Sequence, residues 1–244
     1  NRGASFLISN NGSTRSSARL PDTMPMFLNS ADGSWNGETR PSGLAIRTDQ
    51  NATTNETIGV LTLASGASYF RGDASGTTGI AGIIASNVVR SNGATFALRG
   101  RNLGSSSGNR NFLRVVSGSA EETAFVASLV GGAGAAGAKN IPIVPWAIGE
   151  TQDANLADAN MGNSLVTYVA TSGSGYGLRP LSLTAEYATF TNKSANTDNV
   201  RESLSADLTG LAGQTINSLV VNNANTAAGV VSVVAQQEVT APVP

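Results

Sequence analysis

The stretch Thr57-Ile58-Gly59-Val60-Leu61-Thr62-Leu63-Ala64 alternates aliphatic and small or polar residues, so Leu61 and Leu63 fall on one face of an extended strand. The pattern returns 158 residues on, as Thr215-Ile216-Asn217-Ser218-Leu219-Val220-Val221-Asn222, with Leu219 and Val221 at the matching parity. A second echo joins Gly3-Ala4-Ser5-Phe6-Leu7-Ile8 to Gly93-Ala94-Thr95-Phe96-Ala97-Leu98, 90 residues apart. A strand core recurring at unequal distances reads as a repeat unit with insertions of variable length. Ile58, Leu61, Leu63, Ile216, Leu219 and Val221 are its expected core, stacked along one axis.

Working outward, short aliphatic pulses predict strands at 60–63, 80–84, 88–89, 95–98, 112–116, 165–169, 181–184, 219–221 and 230–234. Gly, Asn and Ser between them supply turns. Between Thr57 and Leu98 the pulses follow without a long break, the pattern of a solenoid whose rungs each bury one or two side chains per face. Ser119-Ala120-Glu121-Glu122 opens a helix, Phe125, Val126, Leu129 and Val130 give its apolar spacing, and Gly131-Gly132 stops it. The prolines of Asn140-Ile141-Pro142-Ile143-Val144-Pro145-Trp146 enforce an extended segment. The expected architecture is a single mainly-β domain over 1–244, a parallel β-helix or solenoid. Two long excursions leave it at about 10–43 and 99–198, the second holding the short helix.

Composition agrees. Gly, Ala, Ser, Thr and Asn exceed half of the 244 residues, while charged residues are 13% and aromatics 5%. A helical bundle needs more Leu, Glu and Lys, and a disordered chain fewer aliphatics and more charge. Cys and His are absent, which removes thiol nucleophiles, thiolate metal sites, Ser-His triads and disulfides. No apolar run approaches the ~18 residues of a membrane span, and no signal peptide is present, so Asn1 reads as a cut inside something longer. Residues 1–115 hold 11 Arg against 6 acids, and residues 116–244 hold 4 Lys or Arg against 10 acids, giving a basic front and an acidic back.

Several blocks carry a family resemblance: NETIGVLTLASGASY at 55–69, SNGATFALRGRNLG at 91–104, LVGGAGAAGAKNIPIVPWAI at 129–148, and the run at 163–221 that contains GLRPL and TINSLVV. In this order they resemble the autotransporter-associated β-strand repeat proteins of Gram-negative and planctomycete-type bacteria. The resemblance covers most of 44–234. It implies a right-handed parallel β-helix in a large extracellular or surface-attached bacterial protein. That family is defined by architecture, so the resemblance transfers no catalytic residue and no cofactor. Residues 10–43 match none of it, and no β-barrel translocator is present.

Little else points to chemistry. Asp153, Asn155, Asp158 and Asn160 lie close in sequence, but the mid-loop Gly of a calcium loop is missing and Ser164 stands where its closing Glu would be. They read as a surface turn. Asp22, Asp32, Glu38, Glu186 and Asp198 are acids available to a glycosidase, but none lies in a motif. Arg90, Arg99, Arg101, Arg110 and Arg114 form an arginine-dense stretch with thin aromatic interleaving, favouring solvated rung edges over an anion-binding patch. Arg71-Gly72-Asp73 and the glycosylation-shaped Asn51, Asn55 and Asn192 are what chance gives in this composition. Trp35, Trp146, Tyr168 and Tyr176 cap or fill the solenoid, with sugar stacking open to exposed ones.

The expectation is therefore a non-enzymatic structural element of a bacterial extracellular or cell-surface assembly, without cofactor or metal and without nucleic acid as partner. Its expected partners are copies of itself, head-to-tail in a filament or as a segment of a long fibrous surface protein; surface glycans are a second partner class. Phe6, Leu7 and Ile8 at one end and Val231 and Val233 at the other are the self-association candidates, because 215–239 and 3–8 each align with part of a repeat unit. The alternative class is a glycan-binding or glycan-cleaving β-helix, an adhesin or polysaccharide-active passenger. A virus-type fibre is also compatible with the composition.

Overall fold

The computed structural model describes residues 5–10, 18–30, 42–49, 51–149, 164–170, 176–203 and 215–222. In chain order the first eight strands are β1 (Ser5–Asn10), β2 (Met26–Asn29), β3 (Ser42–Thr48), β4 (Thr53–Ser65), β5 (Ala67–Asp73), β6 (Ile80–Arg90), β7 (Thr95–Gly100) and β8 (Arg110–Val115). Helix α1 (Ala120–Ala127) follows, then β9 (Val144–Gly149), β10 (Ser164–Val169), β11 (Gly177–Pro180), β12 (Asn199–Ser203) and β13 (Ser218–Asn222). The fold is mainly β, and its sheets are largely parallel.

Odd-numbered strands β1, β3, β5, β7 and β9 lie parallel and adjacent in one sheet, which β10 and β11 extend antiparallel. Even-numbered β2, β4, β6 and β8 form a second, wholly parallel sheet. The chain thus crosses between sheets at each step from β1 to β8. From β3 to β8 register partners recur every 26 to 30 residues (Ser42 with Ser68, Thr53 with Ile80, Ala67 with Thr95, and Ile80 with Arg110), whereas Ser5 with Gly43, Met26 with Leu61 and Phe96 with Ala147 lie farther apart in the chain.

Equivalent positions stack their side chains between the sheets. Leu44, Phe70 and Leu98 are neighbours in register, and so are Ile58, Ala85 and Val115; all six are buried. Each large side chain so buried contributes about 2 kcal/mol. The long strands change buried face midway. In β4 the buried positions run Thr54, Glu56, Ile58 and then Leu61, Leu63; in β6 they run Ala81, Ile83, Ala85 and then Val88. Ile58 pairs with Ala85 and Leu61 with Val88, so the two switches coincide and both strands turn the same corner around the core. Gly59 sits at that corner and donates its N–H to the Met24 carbonyl at 2.9 Å. A Cβ there would lie 2.5 Å from the Thr23 carbonyl oxygen.

Polar ladders share the interior. Asn10 donates to Thr54 at 2.8 Å, and Thr54 donates to Thr48 at 3.0 Å. Asn111 fills the space over Gly72, where a Cβ would meet its side chain at 2.4 Å. It also donates to the Arg101 carbonyl at 2.7 Å.

Four sequence expectations need correction. Residues 181–184 form no strand; the strand lies just upstream as β11, and a turn held by the Glu186 carboxylate follows it. The helix stops at Ala127, capped by Ser128, so Val130 leaves it and pairs with Ile143. The stretches 10–43 and 99–198 are not wholly excursions: Met26, Phe27 and Leu28 pair with Leu61, Thr62 and Leu63, and β8 pairs with β6. Three apolar residues between Pro25 and Asn29 give too short a pulse to read as a strand without its partner. Finally, β13 does not stack with β4. It pairs with β12 in a separate two-stranded sheet, because the Asn199 side chain takes hydrogen bonds from Asn217 at 2.7 Å and Ser218 at 2.8 Å. The 230–234 pulse lies outside the described residues.

Candidate functional site

The two ends of the stacked sheets are built differently. At the first end, β1 and β2 are the outermost strands, and no described strand pairs with their outer edges. Phe6, Leu7 and Phe27 stand 41%, 55% and 67% exposed there, while Ile8 is buried. The interior behind them is closed by chain: the backbone N–H groups of Arg19 and Leu20 donate to the buried Glu56 carboxylate at 2.8 and 2.6 Å. Tyr69 lies across Gly43, where no Cβ would fit, and its hydroxyl meets the Ser5 hydroxyl at 2.5 Å.

At the other end the edge of β8 is covered. Gly104 donates to the Asn111 carbonyl at 2.8 Å, and the Val115 N–H donates to the Tyr168 hydroxyl at 3.1 Å. Tyr168 in turn donates to Glu122 at 2.8 Å. Burial, with the Glu122 carboxylate beside it, pushes the Tyr168 phenol well above its ordinary value and keeps it a donor. Ser119 caps α1 by accepting the Glu122 N–H, and the other Glu122 oxygen takes the Gly118 N–H. Phe125 on α1 packs on Tyr168 at 5.1 Å and meets Trp146 edge-on at 6.2 Å. Beside Trp146 is an apolar groove of about 450 Å³ on the sheet of odd-numbered strands.

Among the repeat positions, Ile58, Leu61 and Leu63 are fully buried. Ile216, Leu219 and Val221 are only half-buried, as expected of a two-stranded sheet with a thin second cluster around Ile141, Ile143, Leu181 and Tyr187. Val231 and Val233 lie outside the described residues, as do Asp32, Glu38, Trp35 and the 153–160 turn.

Of the remaining acids, Glu186 and Asp198 hold local structure. Glu186 accepts both guanidinium nitrogens of Arg179, at 2.6 and 2.7 Å, and the N–H groups of Gly137 and Ser182, each at 2.7 Å. Burial raises its pKa, but the Arg179 pair and the two backbone donors outweigh it and hold the carboxyl below its usual range. Asp198 closes a turn by accepting the N–H groups of Ser194 and Ala195. Asp22 is exposed. Among the described residues no three acids gather as a metal site, and no helix is long and apolar enough to cross a membrane.

The arginine-dense stretch does not gather either. Arg99 lies in the first sheet beside Arg71, Arg110 and Arg114 lie in the second, and Arg114 covers the Phe112 ring at 5.4 Å. Arg71-Gly72-Asp73 runs along β5, with Gly72 buried and Asp73 paired to Arg47 at 3.4 Å. Sequence reasoning missed Glu56 and Phe27, and read Glu122 only as part of the helix start and not as the partner of Tyr168. The signals present were a Ser-x-x-Glu capping pattern at 119–122 and buried-pattern parity at 54–58. No protein-family model matches the chain, and no curated protein or solved structure matches it either.

Proposed function

We propose that this chain is a non-catalytic structural segment, a right-handed parallel β-helix of a bacterial extracellular or cell-surface assembly, joined head-to-tail to copies of itself. The observation that carries this reading is the end formed by β1 and β2. Two parallel strands there have outer edges that no described strand pairs, and they display Phe6, Leu7 and Phe27. Such edges are templates for further strands. Support for the helical winding comes from the alternation of β1 to β9 between two sheets, the 26-to-30-residue register from β3 to β8 and the shared corner in β4 and β6. At the opposite end of the chain order, β13 also has an outer edge without a described strand partner. The bacterial surface location follows from the sequence resemblance. A glycan site gains less support, because the groove beside Trp146 is mainly apolar and a sugar needs several polar partners.

Sedimentation velocity over a wide concentration range tests the proposal, together with a tandem fusion of two copies. Growth beyond the monomer, weakened by Leu7→Lys, is the result expected of separate chains. A monomer whose tandem fusion melts higher than the single chain is expected of consecutive segments. A monomer whose fusion gains nothing overturns the reading.

A further inference from the structure

Strand β4 is 13 residues long, and β2 covers only part of its outer edge. Residues 61–65 pair with β2, whereas β6 on the other side pairs with β4 from Thr53 onward. Beside 53–58 no described strand stands on the β2 side; the chain of 18–25 runs there on its way into β2. This strap forms no strand. Pro21 and Pro25 have no N–H to give to a ladder, and the Met24 N–H turns back to the Pro21 carbonyl at 2.8 Å. The strap is tied to β4 by the Gly59 N–H on the Met24 carbonyl at 2.9 Å, and by the Arg19 and Leu20 N–H groups on one Glu56 oxygen at 2.8 and 2.6 Å. The Arg19 guanidinium adds a bond to Asn10 of β1 at 2.8 Å. Glu56 is fully buried, and its second carboxylate oxygen has no donor. Uncovering that oxygen gives it water, which offsets part of the cost of breaking the two N–H bonds. Of the strap's own side chains only Leu20 and Met24 are even half-buried, so it is thinly held compared with the strands behind it.

Resting on the reading of this chain as a head-to-tail structural element, we infer that the 18–25 strap guards the joining end and that Glu56 is its latch. Closed, the strap shields the 53–58 half of the β4 edge with chain that its prolines keep from being extended as a strand, one of the ways in which proteins blunt sheet edges. Open, it uncovers that edge beside β1 and β2, and an arriving strand of the next copy takes the place next to β4. The latch thereby sets how readily copies join.

Two full-length variants test the guard. Glu56→Gln takes the charge from the latch. Arg19→Ala, at an exposed position, loosens the strap from its own side by removing the Asn10 bond, and it carries the test if Glu56→Gln does not fold. Hydrogen exchange reads the latch at the Arg19 and Leu20 amides, with the β6 amides as the check that the stack is intact. Joining is read by sedimentation velocity, and by how much higher a tandem fusion of two copies melts than the single chain. The expected result is at least tenfold faster exchange at Arg19 and Leu20 with β6 unchanged, accompanied by at least tenfold tighter association or a larger melting gain of the fusion than in the wild type. Unchanged exchange at both amides overturns the latch. Faster exchange with joining no stronger than that of a wild type that does join overturns the guard while the head-to-tail reading stands. A wild type that joins in neither format overturns that reading itself.

Discussion

Glu186 shows how a single residue that looks like chemistry does structural work. Its carboxylate is almost wholly buried and accepts four hydrogen bonds, two of them from one guanidinium. Glu186→Gln removes the charge and leaves Arg179 half-satisfied. Breaking a buried pair from one side costs about 3 kcal/mol, read as a lower urea midpoint at pH 7. The pH dependence follows from the depressed pKa. A group whose folded pKa lies below its unfolded value gives its full stabilisation above the unfolded pKa and loses it as pH falls through the folded one. The gap between wild type and Glu186→Gln is therefore expected to be full at pH 7 and to shrink below about pH 4. An equal gap at pH 7 and pH 3 contradicts the ion pair.

Among elements, the corner and the cap govern the stack. Gly59 is where β4 changes buried face, and backbone from Thr23 and Met24 presses on it. Gly59→Ala is expected to cost about 1–3 kcal/mol through overpacking, seen as a lower melting temperature. At the cap, Tyr168 both accepts from Val115 and donates to Glu122. Tyr168→Phe keeps the ring against Phe125 but leaves the Val115 N–H and a Glu122 oxygen short of a partner. A cost of about 1–3 kcal/mol is expected, with faster hydrogen exchange at the Val115 amide than in the wild type. An unchanged exchange rate there means that the hydroxyl does not close the β8 edge.

For the whole molecule, the two copies of the repeat are predicted to differ sharply. Leu61 is fully buried and lies in register between Met26 of β2 and Val88 of β6. Leu61→Asp places an unpaired carboxylate where three strands meet, and a loss of about 4 kcal/mol or more is expected, enough to unfold a marginally stable domain. Leu219 is half-buried in the separate β12–β13 pair. Leu219→Asp is expected to cost about 1 kcal/mol and to leave the strand-dominated circular dichroism intact. Equal thermal losses in the two variants overturn the assignment of β13 to a separate sheet.

Local chemistry made much of this fold legible in the chain. Alternation at 57–64 and at 95–98, turn residues between pulses and a Ser119-x-x-Glu122 start foretold strands and a helix close to where they lie, because parity, turn preference and capping act within a few residues. Pairing acts across 26 to 30 residues and more, and it left fainter marks. The echo of 57–64 at 215–222 was real as a strand pattern, yet side chains from Asn199 and Asn217 drew β13 into another sheet. Met26, Phe27 and Leu28 became a strand only because β4 offered an edge. Nothing in the sequence around Phe27 marks it as exposed. It is exposed because, between Met26 and Leu28, the pleat turns it outward on an outermost strand. Which apolar residues face a partner rather than the core depends on which strand ends the sheet, and that is settled when distant segments meet.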